Sequence, residues 1–235
     1  MKENIYTIPI NDAFAADCEC PICEFMVKEE KDRIEYSLGA SMMEPDERIV
    51  SNELGYCQRH TQMMYDFGNK LSHALVLETR LKFITDKLNK YSQSLKKPKK
   101  ILFSNKDCEN SLSYSNTCVV CERLNKILKD FVANLFYLYK KDSEFREKFL
   151  NSKGFCLPHF EYLANSGYKY LGADAGYEFL LNLCQLQKKN LLRVTEDVKW
   201  FTKKFDYRYK DEDWKNSKDA VIRGSLKISG FIEEK

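Results

Sequence analysis

Glycine, proline and histidine are all scarce in this 235-residue chain: nine Gly, five Pro and three His. Gly and Pro favour tight turns, so their scarcity argues against a sandwich or barrel of many short strands. No run approaches the ~18 apolar residues of a membrane span, and no membrane helix is expected. The opening stretch "MKENIYTIPINDAF" lacks the apolar core of a secretory signal, so the expected location is the cytoplasm. Disulfides are rare there, and spaced cysteines bind metal or do redox chemistry. A Gly-rich phosphate loop, GK[ST], HExxH and GxSxG are missing too, so no catalytic residue is assigned and an enzyme is not the expectation.

What is present points to helices. The hydrophobic fraction is 43%, enough for a core, and long stretches rich in Leu, Lys, Glu and Asn run without Gly or Pro. The net charge is only +3 but unevenly spread. Residues 1–60 carry thirteen acidic and six basic side chains, whereas residues 87–106 carry seven Lys and no acid. That Lys-rich stretch reads first as a solvated linker and second as a phosphate-contacting arm through Lys96, Lys97, Lys99 and Lys100.

The cysteines carry the strongest signal. "CPIC" holds Cys20 and Cys23, and "CVVC" holds Cys118 and Cys121. "GYCQRH" holds Cys57 and His60, and "GFCLPH" holds Cys156 and His159. The order is CxxC, GxCxxH, CxxC, GxCxxH, with a shift of 98 residues between the CxxC motifs and 99 between the CxxH motifs. This is an internal repeat. Each repeat offers three Cys and one His, a set that suits tetrahedral Zn²⁺. Two zinc ions per chain are expected, with an iron–sulfur cluster as the alternative cofactor. Spacing alone allows the four ligands to come from one repeat or to be exchanged between repeats. Cys18 reads as an extra thiol; Cys108, Cys184 and His73 are not expected to bind metal.

The fold expected is all-α: two similar helical repeats, each built around a Cys3His metal site, and a C-terminal aromatic-charged extension. The divisions are 1–95, a basic linker over 96–117, 118–204 and 205–235. A long helix closes each repeat, near 69–91 and 172–204. Leu71, Ala74, Leu77, Leu81, Ile84, Leu88 and Tyr91 form an apolar stripe on the first. Tyr177, Leu180, Cys184, Leu191, Val194, Val198, Phe201 and Phe205 form one on the second. Both are core-forming or coiled-coil-like.

The motifs "IYTIPINDAF", "CPIC", "MEPDERI", "GYCQRH", "GFCLPH" and "KFDYRYKDEDWKNSKDA" resemble, from end to end, an uncharacterised bacterial family, a domain of unknown function. The resemblance implies a bacterial, intracellular protein of one repeated architecture. It implies no activity, substrate or catalytic residue. The leading functional expectation is a zinc-stabilised, non-enzymatic adaptor or regulator that binds a protein partner through its closing helices or its tail. A second is nucleic-acid binding through the Lys-rich linker and the tail; Lys97, Lys100, Trp200, Arg208 and Trp214 are weak contact candidates for a partner of either kind. A third is a thiol redox sensor or metalloenzyme.

Overall fold

A computed structural model describes residues 7–94 and 117–230. Lys96, Lys97, Lys99, Lys100 and Cys108 lie outside the described residues. Among the described residues there are ten α-helices, two short 3-10 turns and no strand.

The scarce prolines start helices. Pro9, Pro21, Pro45 and Pro158 sit in the first turn of α1 (Ile8–Ala15), α2 (Pro21–Leu38), α3 (Pro45–Leu54) and α8 (Leu157–Leu171). A first-turn N–H has no intrahelical partner, so its loss costs nothing there. The remaining helices are α4 (Gln58–Asp66), α5 (Lys70–Ser94), α6 (Val119–Lys141), α7 (Ser143–Asn151), α9 (Ala173–Lys203) and α10 (Ala220–Ser229).

The repeat is visible in helix order. α2 and α6 begin at a CxxC; α3 and α7 follow. α4 and α8 begin at a CxxH, and the long α5 and α9 close the series. Gly55 and Gly154, just before the CxxH motifs, adopt φ of 69° and 78°, positive values that glycine takes without strain.

The compact units are not the sequence repeats. Among the described residues, one comprises 7–28 with 127–230, the other 29–94 with 117–126. The first is built on aromatics. Phe149 is fully buried and packs against Phe14, Tyr139, Phe155 and Phe179 with ring centroids 5.1–5.7 Å apart. Val132, Leu135, Leu163 and Leu183 complete the centre. Phe149→Ala should cost about 3–5 kcal/mol, since the rings around it cannot close the gap; denaturant unfolding checks this. The second unit has a much smaller core: Ile34, Leu38, Met64, Cys118, Val119 and Val120.

The closing helices bury a face that matches the expected one only in part: on α9, Val194 is buried and Leu180 packs against the core. On α9 the buried stripe is Phe179, Leu183, Leu186, Gln187, Asn190 and Val194. Tyr177, Cys184 and Phe205 are exposed. The upper part of α9 is apolar nearly all round, so its phase is ambiguous, and two polar residues belong to the buried face because they bind backbone. On α5, Leu71 (73% exposed), Leu77, Leu81 (62%) and Leu88 face solvent. That stripe is not core.

Candidate metal centres

All four motifs are built in the same way. Cys57 and Cys156 are the N-cap residues of α4 and α8, and His60 and His159 follow in the first helical turn. Cys20 and Cys118 immediately precede α2 and α6, with Cys23 and Cys121 in the first turn. The i, i+3 spacing puts both donors of a motif on one side of a helix amino end. The positive end of the helix dipole favours thiolates there.

The motifs meet across the repeats. Cys20, Cys23, Cys156 and His159 converge in the first unit; Cys57, His60, Cys118 and Cys121 converge in the second. In each group the ligand atoms all lie within 4.8 Å of one another. All eight residues read as ligands are brought together, in the exchanged pairing.

The distances are those of donors sharing one ion. In the first centre the Cys156 sulfur lies 3.8 Å from that of Cys20 and 3.6 Å from that of Cys23. His159 Nδ1 lies 3.5, 3.3 and 3.2 Å from the sulfurs of Cys20, Cys23 and Cys156. In the second centre His60 Nδ1 lies 3.2, 3.2 and 3.4 Å from Cys57, Cys118 and Cys121, and the Cys57 and Cys121 sulfurs are 3.9 Å apart. A tetrahedron with Zn–S of about 2.3 Å and Zn–N of about 2.0–2.1 Å has edges of about 3.8 Å (S–S) and 3.5 Å (S–N). A disulfide needs about 2.05 Å.

The electrostatics of each group also suit a cation. In the second centre burial opposes charge on both partners, yet contact with the Cys118 sulfur and Glu30 pushes His60 up to about 10, and contact with His60 brings Cys118 down to about 6. Burial and the neighbouring Cys118 charge push Cys121 up to about 12. In the first centre Cys23 is raised by contact with Cys156 and Cys20, while Cys20 is lowered, against its burial, by contacts with Cys156, Cys23 and His159. His159 rises to about 9, against its burial, through Cys156 and Cys20. In each group one sulfur is favoured as a thiolate, Cys20 or Cys118, and another is disfavoured, Cys23 or Cys121; a dication would satisfy all three thiolates. At neutral pH a metal must therefore displace protons from His60 and Cys121, so its affinity should fall as pH falls. Metal retained after dialysis across a pH series checks this.

Residues that sequence reading missed hold the ligands in place. Glu30 Oε1 accepts from His60 Nε2 at 2.9 Å, leaving Nδ1 to face the sulfurs, and Arg59 anchors the other Glu30 oxygen at 2.6 Å. Such a carboxylate fixes tautomer and ring orientation. Glu30→Gln should weaken metal binding at the second centre by about 10–100-fold and leave the first unchanged, as read by competition with a chromophoric chelator. In the first unit Gln187 clamps the residue before Cys156: its amide donates to the Phe155 carbonyl at 2.8 Å and accepts from the Phe155 N–H at 3.0 Å. Lys227, fully buried, donates to the carbonyls of Glu19 and Lys153 and pairs with the Glu19 carboxylate at 3.0 Å, holding the turn just before Cys20. For Gln187 the available signal is a polar residue on an otherwise apolar face of α9. In the second unit Val119 N–H donates to the Gly55 carbonyl at 3.0 Å and Thr117 to that of Leu54 at 2.6 Å, tying the CxxC turn to the approach of the CxxH turn.

The weak contact candidates of the tail are already engaged. Trp200 donates to the Asp213 carbonyl, Trp214 packs on Phe201, and Arg208 is held by the Asp206 carboxylate. Among the described residues no helix is long and apolar enough to cross a membrane. No curated protein and no solved structure matches the chain. The family model described as a family of unknown function, DUF6062, matches residues 1–235, and the chain belongs to that family.

Proposed function

We propose that this protein is a zinc-stabilised helical adaptor or regulator that binds a protein partner through α5, with two structural zinc ions and no catalysis at either. Three thiolates and an imidazole at tetrahedral spacing suit Zn²⁺, and four protein donors leave no open position for water or substrate. An iron–sulfur cluster fits the spacing less well, because cluster cysteines bind different irons and stand farther apart than donors on one ion. The zinc identity is tested by elemental analysis of anaerobically purified protein: colourless protein with two zinc per chain is expected, and brown, iron-bearing protein contradicts it.

The observation that carries the adaptor reading is the exposed stripe of α5. Leu71, Leu77, Leu81 and Leu88 are exposed. Ala74, Leu77, Leu81, Ile84, Leu88 and Tyr91 recur alternately every three and four residues, the seam spacing that accepts another helix. The occupant supported is an amphipathic helix of the partner. A photo-crosslinking side chain at position 81 or 88, in cells that make the protein, should give a discrete adduct. One at position 86, on the far side of α5, should not. Equal labelling from all three positions, or none, contradicts the reading.

A further inference from the structure

The first unit carries a second feature that the metal centres do not use: a concave basic pocket of about 420 Å³. It is lined by five cations, Lys153, Arg193, Lys215, Lys218 and Arg223, against two acids, Asp197 and Asp219. Both acids are spent on one cation. Arg223 donates to Asp197 at 2.9 Å and to Asp219 at 2.9 Å, and its side chain is only 13% exposed. Arg193 is anchored from behind by the buried Glu19 carboxylate at 2.6 and 2.9 Å, and Lys153 pairs with Asp17 outside the pocket lining. Lys215 and Lys218 have no ion pair among the described residues, so they supply the uncompensated charge.

The tail goes to some length to hold these two lysines in place. Lys204 is buried and its ammonium donates to the carbonyls of Tyr209, Lys210 and Glu212, closing the loop on itself. Ser217 is fully buried and bonds the Trp214 carbonyl at 2.6 Å. Between them Lys215 takes φ of 52°, a left-handed conformation costly for a residue with a side chain, and its ammonium lies 3.7 Å from the centroid of the Trp200 ring. A rigid, concave, net-positive wall of this kind focuses field on an anion and presents donors already oriented. The volume lies within the range of small-molecule sites and exceeds what a bare ion fills.

We propose that this pocket binds a phosphate-bearing small molecule, with Lys215 and Lys218 as the contacting cations, Arg193 and Lys153 flanking them, and the Arg223 guanidinium, held by Asp197 and Asp219, as a charge-balanced floor. None of its lining residues is a metal-ligand candidate or belongs to the α5 surface.

The chain supplies its own reporter. Its only tryptophans are Trp200 and Trp214, and Trp200 lies under Lys215. The experiment titrates metal-loaded full-length protein at low salt with inorganic phosphate and then pyrophosphate, following calorimetric heat and tryptophan fluorescence, with bound metal assayed before and after. Saturable binding is expected, tighter for pyrophosphate and weakened by added chloride. Lys215→Met/Lys218→Met should weaken it at least tenfold. Lys188→Met/Lys189→Met, which removes the same charge from an exposed stretch of α9, should leave it unchanged. No saturable binding, equal weakening in the control pair, or heat accompanied by metal loss overturns the proposal. Binding of a short oligonucleotide where both phosphate probes fail overturns it in favour of a nucleic-acid surface.

Discussion

Replacing Cys156 by serine should strip the first centre of its metal and destabilise the chain by more than about 4 kcal/mol, whereas Cys184→Ser should change neither metal content nor melting temperature. Cys156 is fully buried, sits 3.6–3.8 Å from two other sulfurs and 3.2 Å from His159, and caps α8. A hydroxyl cannot replace a thiolate on zinc, and metal loss leaves two thiols and an imidazole crowded together in the interior. Structural zinc contributes on the order of 10 kcal/mol in small peptides, and effects above about 4–5 kcal/mol from one substitution have named causes of this kind. Cys184 is exposed and outside both ligand groups, so its change should stay within about 0.5 kcal/mol. Thermal unfolding with metal assayed in parallel separates the two. If Cys156→Ser keeps all its metal, the first ligand set is wrong.

Chelator should melt the two units in order, the second well before the first. The second unit has six buried core residues, one of them the ligand Cys118, and leaves its longest helix with exposed leucines. Cys57 and Cys121 are only half-buried, so a chelator can reach them. The first unit buries Cys20, Cys23 and Cys156 and adds the Phe149 cluster, a core that does not depend on metal. Each fully buried large side chain contributes about 1.5–3 kcal/mol, so that unit should keep its helices after metal loss while the second should not. Hydrogen exchange at rising chelator concentration should show α3, α4 and α5 losing protection first. Simultaneous loss in α8 and α9 would show that the first unit also depends on its metal.

Much of this was legible in the sequence because it rests on local rules. Four Cys/His motifs at matched spacing named the eight residues that the fold gathers into two groups able to hold a metal. The pairing was not legible, and loop entropy shows why. The exchanged first centre spans 133 residues from Cys23 to Cys156, and the second 61 from His60 to Cys121, against about thirty within a repeat. Each doubling of loop length costs only about 0.6 kcal/mol, so the exchange costs about 1.2 and 0.6 kcal/mol. Two hydrogen bonds such as Thr117 to Leu54 and Val119 to Gly55 offset that, and spacing does not show them. The phase of α9 was missed for a related reason. Gln187 and Asn190 look like surface residues until their partners, the backbone around Phe155 and Ser152, are in place.

Metal content of two double variants tests the exchanged pairing most directly. Cys23→Ser/Cys156→Ser damages one centre if the pairing is exchanged, and Cys23→Ser/Cys57→Ser damages both. After dialysis against a chelator concentration that leaves wild-type protein loaded, the first variant should retain one metal ion per chain and the second none. Retention of one ion by Cys23→Ser/Cys57→Ser and none by Cys23→Ser/Cys156→Ser would mean that each repeat holds its own metal, and would contradict the account.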